Sequence, residues 1–294
     1  MFYIFKRIRK NWILLILFII YAFSSQTQNL KIHFLDVGEG DSILIQTPKG
    51  KAVLVDTGNL ITGFKVVKYL QKNGIQNLDY LVLTHPHLDH IGGTFFILQM
   101  INVKKIYDNG QDLSQLIESF DAYRWYEQLV RENDNYRVLK LGDEFLVDGV
   151  KFKILWPPCP FIFSDFNTNS LVIMVEYKKF RCLLSGDLTE LGENELLKIG
   201  ENELLKSGID IKANILKVAH HGSKDATSEE FLKAVSPSIS IISVNRDNIR
   251  GYPSEEILRR LKNLGIKIYR TDLNGNVIIT VEESGRYSIE TERE

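Results

Sequence analysis

Histidine, cysteine and methionine are all scarce in this chain, at six, two and three of 294 residues. Two cysteines, Cys159 and Cys182, cannot build a disulfide framework, and their spacing fits no zinc motif. Both are expected as small core residues, so any metal site has to be made from histidine and carboxylate. An excess of charge of one sign is missing too. The net charge is −1, which by itself does not announce a nucleic-acid binder. Long apolar runs are absent after the first two dozen residues, so no stretch there is long enough to span a membrane. With 44% hydrophobic residues the chain can still bury a sizeable core.

The first 28 residues differ from the rest. Lys6, Arg7, Arg9 and Lys10 come with no acid, and Trp12 to Phe23 is unbroken apolar sequence. Twelve such residues fall short of the roughly 20 a span needs. A basic start, a short apolar stretch and Ala22-Phe23-Ser24 before polar residues predict a secretory signal or an N-terminal membrane anchor. Residues 29–294 are then one domain, exported or held on the outer face of the cytoplasmic membrane.

Short apolar or alternating runs from Lys31, Ser42 and Lys51, separated by Gly38-Glu39-Gly40-Asp41 and Pro48-Lys49-Gly50, predict an antiparallel meander. Helical spacing over Phe64–Asn73 and an apolar run over Leu78–Leu83 follow. Gln111–Glu132 is read as a helix whose aromatics Phe120, Tyr123, Trp125 and Tyr126 pack a core or lid. The second half gives strands at Tyr136–Leu141, Val150–Leu155, Leu171–Tyr177 and Arg181–Leu184. It then alternates helices with strands at Ile215–Val218, Ile239–Val244, Ile266–Tyr269 and Asn276–Val281. Two similar halves, each passing from strands to alternating helices and strands, predict an α/β fold, an αββα sandwich. Gly192–Ile199 and Gly200–Ser207 match at seven of eight positions, a local duplication expected to lengthen a surface helix.

The chemistry concentrates in Thr84-His85-Pro86-His87-Leu88-Asp89-His90, where half of the chain's histidines fall within six residues after a strand. Imidazole and carboxylate are the donors zinc and similar ions take. His85 and His87 alternate toward one centre, and Asp89 and His90 turn toward a neighbouring one. His33, in an alternating strand, is expected to be a core or surface histidine. Arg246 to Arg270 holds seven Lys/Arg against three Asp/Glu, a local basic excess.

The same segment resembles the HxHxDH signature of the metallo-β-lactamase superfamily. More narrowly, the chain from about Lys31 to Thr280 resembles the extracellular hydrolase-like domain of the ComEC competence proteins. The matching stretches are Phe34–Asp41, Val55–Gly58, Asn167–Val172, Leu184–Asp187, Leu216–Ser223 and Tyr269–Asp272. The resemblance implies a metal-bridging role for Asp187, which could otherwise be a helix N-cap. It implies that His220 or His221 ligates metal or protonates a leaving group, with His220 placed first at the strand's end. Asp56 would orient a ligating histidine, or cap a turn before Gly58. Asn169 lies in the segment that stands where the superfamily's middle histidine ligand is absent. Tyr252 replaces a histidine usual in relatives, and Glu39 stands where Gln is common.

The cofactor expected is Zn2+ or Mn2+, one or two ions, with Asp89 and His220 or His221 as catalytic candidates. The expected activity is metal-dependent hydrolysis of a phosphodiester, with single-stranded nucleic acid as the partner substrate. A hydrolase of a small ester, lactone or β-lactam, or a catalytically weak binding domain, is the alternative. No protein partner is implied.

Overall fold

The computed structural model describes residues 29–117, 121–201 and 209–294. The N-terminal leader expectation, Phe120 and most of the second duplicated copy lie outside them. Within them the first half runs β1 (Leu30–Phe34), β2 (Ile43–Gln46), β3 (Ala52–Val55), helix α1 (Gly63–Lys72), β4 (Asn77–Leu78) and β5 (Tyr80–Val82). Helices α2 (Leu88–Ile91) and α3 (Thr94–Met100) follow, then β6 (Asn102–Val103), β7 (Ile106–Asp108), α4 (Ser114–Ile117), α5 (Asp121–Tyr126) and β8 (Tyr136–Val138). The second half runs β9 (Glu144–Val147), β10 (Val150–Trp156), β11 (Val172–Tyr177), β12 (Phe180–Leu184), α6 (Glu190–Glu201), β13 (Ile215–Lys217), α7 (Glu229–Val235), β14 (Ile239–Ile242), α8 (Glu255–Asn263), β15 (Lys267–Arg270), α9 (Thr271–Asn274), β16 (Val277–Val281) and β17 (Tyr287–Thr291).

Two sheets face each other, ordered β17-β16-β1-β2-β3-β5-β7-β8 and β15-β14-β13-β12-β11-β10-β9. Each passes from antiparallel to parallel pairing, at β3–β5 in the first and β12–β13 in the second. Strand alternation sorts side chains between layers. Ile32, Phe34, Ile43, Ile45, Val53 and Val55 turn inward to meet Phe152, Ile154, Ile173 and Val175 from the other sheet. Their neighbours Leu44, Ala52 and Leu54 turn outward under Val66, Val67 and Leu70 of α1. Val172, Met174, Leu183 and Leu216 likewise turn out beneath Phe231, Leu232, Ile257 and Leu261. Both faces of each central strand are therefore apolar, and helices must cover the outside. This is the αββα sandwich the sequence predicts.

Several local expectations differ. Cys182 is buried, but Cys159 is exposed in a loop between Pro158 and Pro160, where no strand carries it inward. Gln111–Glu132 is not α-helical throughout: Gln111–Leu113 precede the helix, and the chain continues from α5 as a π-helical turn over Glu127–Arg131. Tyr123 and Tyr126 of its aromatic set are buried, as core or lid packing requires. β9 is paired to β10 through Asp148-Gly149, both at positive φ, a two-residue hairpin the sequence reading passed over. The first duplicated copy is solvated on one side alone, with Asn194 and Lys198 exposed. Its Glu193 and Leu196 are buried in α6, and Glu193 accepts from the backbone N–H groups of Thr227 and Ser228 (2.5 and 2.9 Å) at the start of α7.

Candidate metal centre

The parallel strands set the site. Asp56 follows β3, Thr84 to His90 follow β5, Asp187 follows β12 and His220-His221 follow β13, all at carboxyl ends, where α/β sheets bind ligands. No helix among the described residues is long and apolar enough to cross a membrane.

Asp187 is the hub. Its Oδ2 lies 3.8 Å from His85 Nε2, 3.3 Å from His90 Nε2 and 3.4 Å from His221 Nε2. His221 Nε2 is also 3.6 Å from Asp89 Oδ2, and His87 Nδ1 is 3.1 Å from His85 Nε2. Two overlapping groups result, His85-His90-Asp187 and Asp89-His90-His221, each with ligand atoms within 4.8 Å of one another. Five of the sequence-derived ligands, with His87 beside them, are thus brought together.

The histidine at the far strand end is His221, not His220. The two occupy consecutive left-handed conformations, φ 47° and 54°, so their rings leave the backbone in different directions. His221 is fully buried and turns into the cluster. His220 turns into a cleft of about 290 Å³ shared with His87, Asp89 and Asn167. There its Nε2 is 3.3 Å from Asn167 Nδ2, its Nδ1 is 3.4 Å from Asp225 Oδ1, and its ring packs edge-on to Tyr252 at 5.6 Å.

The surroundings fix the rings of His85, His90 and His221 with Nε2 toward the cluster. Asp56 accepts from Thr84 N (2.7 Å) and Thr84 Oγ1 (2.8 Å), and its Oδ2 accepts from His90 Nδ1 at 2.8 Å. With its own proton given to Asp56, Thr84 Oγ1 is free to accept from His85 Nδ1 at 3.1 Å. His221 Nδ1 donates to Ser243 O at 2.9 Å. Such bonds orient a ligating imidazole and leave the opposite nitrogen's lone pair for a cation. Asp56 therefore takes the orienting position the sequence suggests. Asn169 does not reach the cluster: it is buried, donating to Phe163 O at 2.7 Å. Its neighbour Ser170 accepts from Asp187 N at 3.1 Å.

Two contributors had no role assigned from sequence. Lys217 is wholly buried, 2.6 Å from Asp41 Oδ2, and donates to Gly186 O (3.3 Å), the residue before Asp187. Asp41 in turn lies 4.0 Å from His90 Nδ1. Its loop passes so close to the motif that a Cβ on Gly40 would stand 1.8 Å from Asp89 O, at φ +102°. The signal was a Gly-x-Gly-Asp turn, whose meaning depends on a contact 49 residues away in the chain.

Electrostatics agree with a cation site. Burial disfavours charge at His90, yet the Asp187 and Asp56 carboxylates outweigh it and push the imidazole well above its ordinary range. Burial is outweighed at His221 in the same way by Asp187 and Asp89, raising it to about 10. Asp187 is held well below the usual carboxylate range, because His221 and His90 overcome its desolvation. His85, buried beside His90, is pushed well below the histidine range. His90 Nε2, His221 Nε2 and Asp187 Oδ1 are buried with no hydrogen-bond partner. Unpaired buried donors and acceptors are costly, and a divalent cation among them would satisfy all three. The donor set fits one or two such ions.

A strand-end cluster of histidines and aspartates, set between two sheets with helices outside, is the arrangement of a metal-dependent hydrolase fold. The family profile described as the metallo-beta-lactamase superfamily matches residues 35–244, and the chain belongs to that superfamily, in its ComEC-like family. ComE operon protein 3 of Bacillus subtilis is 30% identical over 279 residues, covering 89% of this chain and 34% of that protein. Recombination protein 2 of Haemophilus influenzae is 31% identical over 272 residues, covering 90% and 31%. The chain thus spans about a third of the length of these relatives. Among solved structures, CmlA, a diiron β-hydroxylase from Streptomyces venezuelae, superposes with a TM-score of 0.56 at 10% identity, covering 86% of this chain and 54% of that one. That likeness concerns the fold alone.

Proposed function

We propose that this domain is a metal-dependent phosphodiesterase that acts on single-stranded nucleic acid on the outer side of the cytoplasmic membrane. The observation that supports it most is the division of labour at the end of β13: His221 joins the ligand cluster while His220 faces the cleft beside it. His85, His87, Asp89, His90, Asp187 and His221 would hold one or two Zn2+ or Mn2+ ions. Such ions, when bound, acidify a water toward neutral pKa and offset charge gathering on a phosphoryl group.

The chain's own groups supply the rest. Asp89, at the floor of the cleft, is placed to orient the attacking water through its outer carboxylate oxygen. With the Asn167 amide turned so that its otherwise unpartnered Oδ1 meets Nε2–H, His220 is placed to protonate the departing oxygen, and Asp225 Oδ1 lies 3.4 Å from Nδ1. Asn167 steadies the same ring, and Tyr252 covers its back. At least three of the seven basic residues in Arg246 to Arg270 are engaged within the chain. Arg260 pairs with Glu256, Arg270 pairs with Asp272, and Arg246 donates to Asp272 O.

The test is turnover of a single-stranded oligonucleotide by metal-loaded protein across a salt series. Phosphate contacts release counterions, so activity below saturation should fall as salt rises. Hydrolysis of a neutral lactone or β-lactam with no salt slope, and no cleavage of oligonucleotides or aryl phosphodiesters, would replace this reading with the small-ester one.

A further inference from the structure

We propose that Arg250 is the residue that selects anionic substrates, and that Glu39 holds it ready at the mouth of the cleft; this rests on the phosphodiester reading above. Among the described residues lining the cleft, Asp89 and Asp187 are the acids and Arg250 is the one Lys or Arg. Asp89 and Asp187 would be engaged by the ions they hold, so Arg250 is the side chain of this lining left to add positive charge for a phosphodiester. Arg250 Nε lies 3.2 Å from Glu39 Oε1, with the arginine side chain 55% exposed and the glutamate 26%.

The loop that carries Arg250 is built to present it. Asn248 donates to Asn245 O (2.8 Å) and Tyr252 O (2.6 Å) and accepts from Tyr252 N (2.7 Å), so one amide closes the loop on both sides of Arg250. Gly251, at φ +73°, makes the turn that follows. On the other wall Glu39 precedes Gly40, whose close approach to Asp89 leaves the glutamate no room to move with its backbone. Both ends of the ion pair are therefore fixed; the guanidinium stands out in solvent, while Glu39 Oε1 is itself buried and makes no hydrogen bond.

A solvent-exposed ion pair is worth little, ~0–1 kcal/mol, so Glu39 orients Arg250 without competing strongly against a phosphate. The guanidinium fork suits a phosphate's paired oxygens, whereas a lysine would offer a single point charge. A neutral ester gains nothing from the same contact. Arg250 is thus a binding residue, expected to move KM rather than kcat.

The experiment uses the metal-loaded full chain and two readouts. One is the Kd for a fluorescein-labelled phosphorothioate oligothymidylate, which resists cleavage. The other is kinetics on bis(p-nitrophenyl) phosphate against neutral p-nitrophenyl acetate. Arg250→Ala should weaken the oligonucleotide Kd and raise the diester KM roughly tenfold, as loss of a charge-assisted bond implies, and leave the acetate KM alone. Arg250→Lys should fall between, and Glu39→Gln should tighten oligonucleotide binding about two- to threefold, the weak competition of an exposed pair. An unchanged Kd for Arg250→Ala, or KM values that rise together for both substrates, overturns the proposal. So does absence of oligonucleotide binding by the unsubstituted protein. If that protein cleaves only the neutral ester, the phosphodiester reading fails, and the oligonucleotide Kd alone then decides whether Arg250 is an anion site.

Discussion

Two adjacent histidines at the end of β13 do different work, and that difference is measurable. His221→Ala removes an Nε2 that lies 3.4 Å from Asp187 and 3.6 Å from Asp89, so purified protein should lose most of its bound metal by elemental analysis. His220→Ala removes no atom of the ligand groups, so metal content should stay within about 20% of the unsubstituted value while turnover falls ~10²–10⁴-fold, the usual worth of a general acid. Retained turnover in His220→Ala, or equal metal loss in both variants, would refute the assignment. The ligands near His85 were legible because four of them sit within one short segment, three of the four being histidines in a chain with six, which is improbable by chance. The choice between His220 and His221 was not. It is made by two consecutive left-handed backbone conformations, which no periodicity of strand or helix encodes. Lys217 and Asp41 were opaque for a related reason: each looks ordinary in its own strand or turn and acquires a role only through the other, 2.6 Å away.

At the level of elements, the central strands and the helices α1, α7 and α8 could be read from alternation and spacing, since both express burial directly. β9 and β17 are edge strands with exposed residues on one side, and their apolar signal is correspondingly diluted. The duplicated unit shows how an identical sequence conceals its environment. Glu193 of the first copy is buried, and desolvation lifts its carboxyl to about 7, against the N–H bonds from Thr227 and Ser228 that oppose the rise. A folded pKa above the unfolded 4.5 means that the stability from this group is full below pH 4.5 and is lost as pH rises through 7. Glu193→Gln does not titrate. In urea unfolding it should be less stable than the unsubstituted protein at pH 4.5, and this deficit should shrink by pH 8, by an amount on the order of 3 kcal/mol. A stability difference independent of pH would show that folding leaves the pKa of this carboxyl where it is in the unfolded chain.

At the level of the whole molecule, the two halves meet with their site at the carboxyl ends of the parallel strands. Four cations without an acid before Trp12–Phe23 motivate an exported or anchored protein. Cell fractionation with N-terminal sequencing should find the chain outside the cytosol, either shortened near Ala22 or intact in the membrane fraction. Full-length protein confined to the cytosol with its N-terminus intact would refute export and anchoring together, and would leave the chemistry of the centre untouched.

Left-handed backbone at His220, His221 and Asp56 is occupied without glycine's freedom, at ~1–2 kcal/mol per residue. Selection for heat resistance alone therefore pulls against selection for turnover at these very positions. Metal-free His221→Gly should melt a few degrees above metal-free His221→Ala, since both lose the imidazole and only glycine sheds the steric cost. An equal melting temperature would mean the turn is unstrained. A laboratory search that rewarded thermal survival and ignored chemistry would be drawn toward glycine there, and would erase the centre while improving the scaffold.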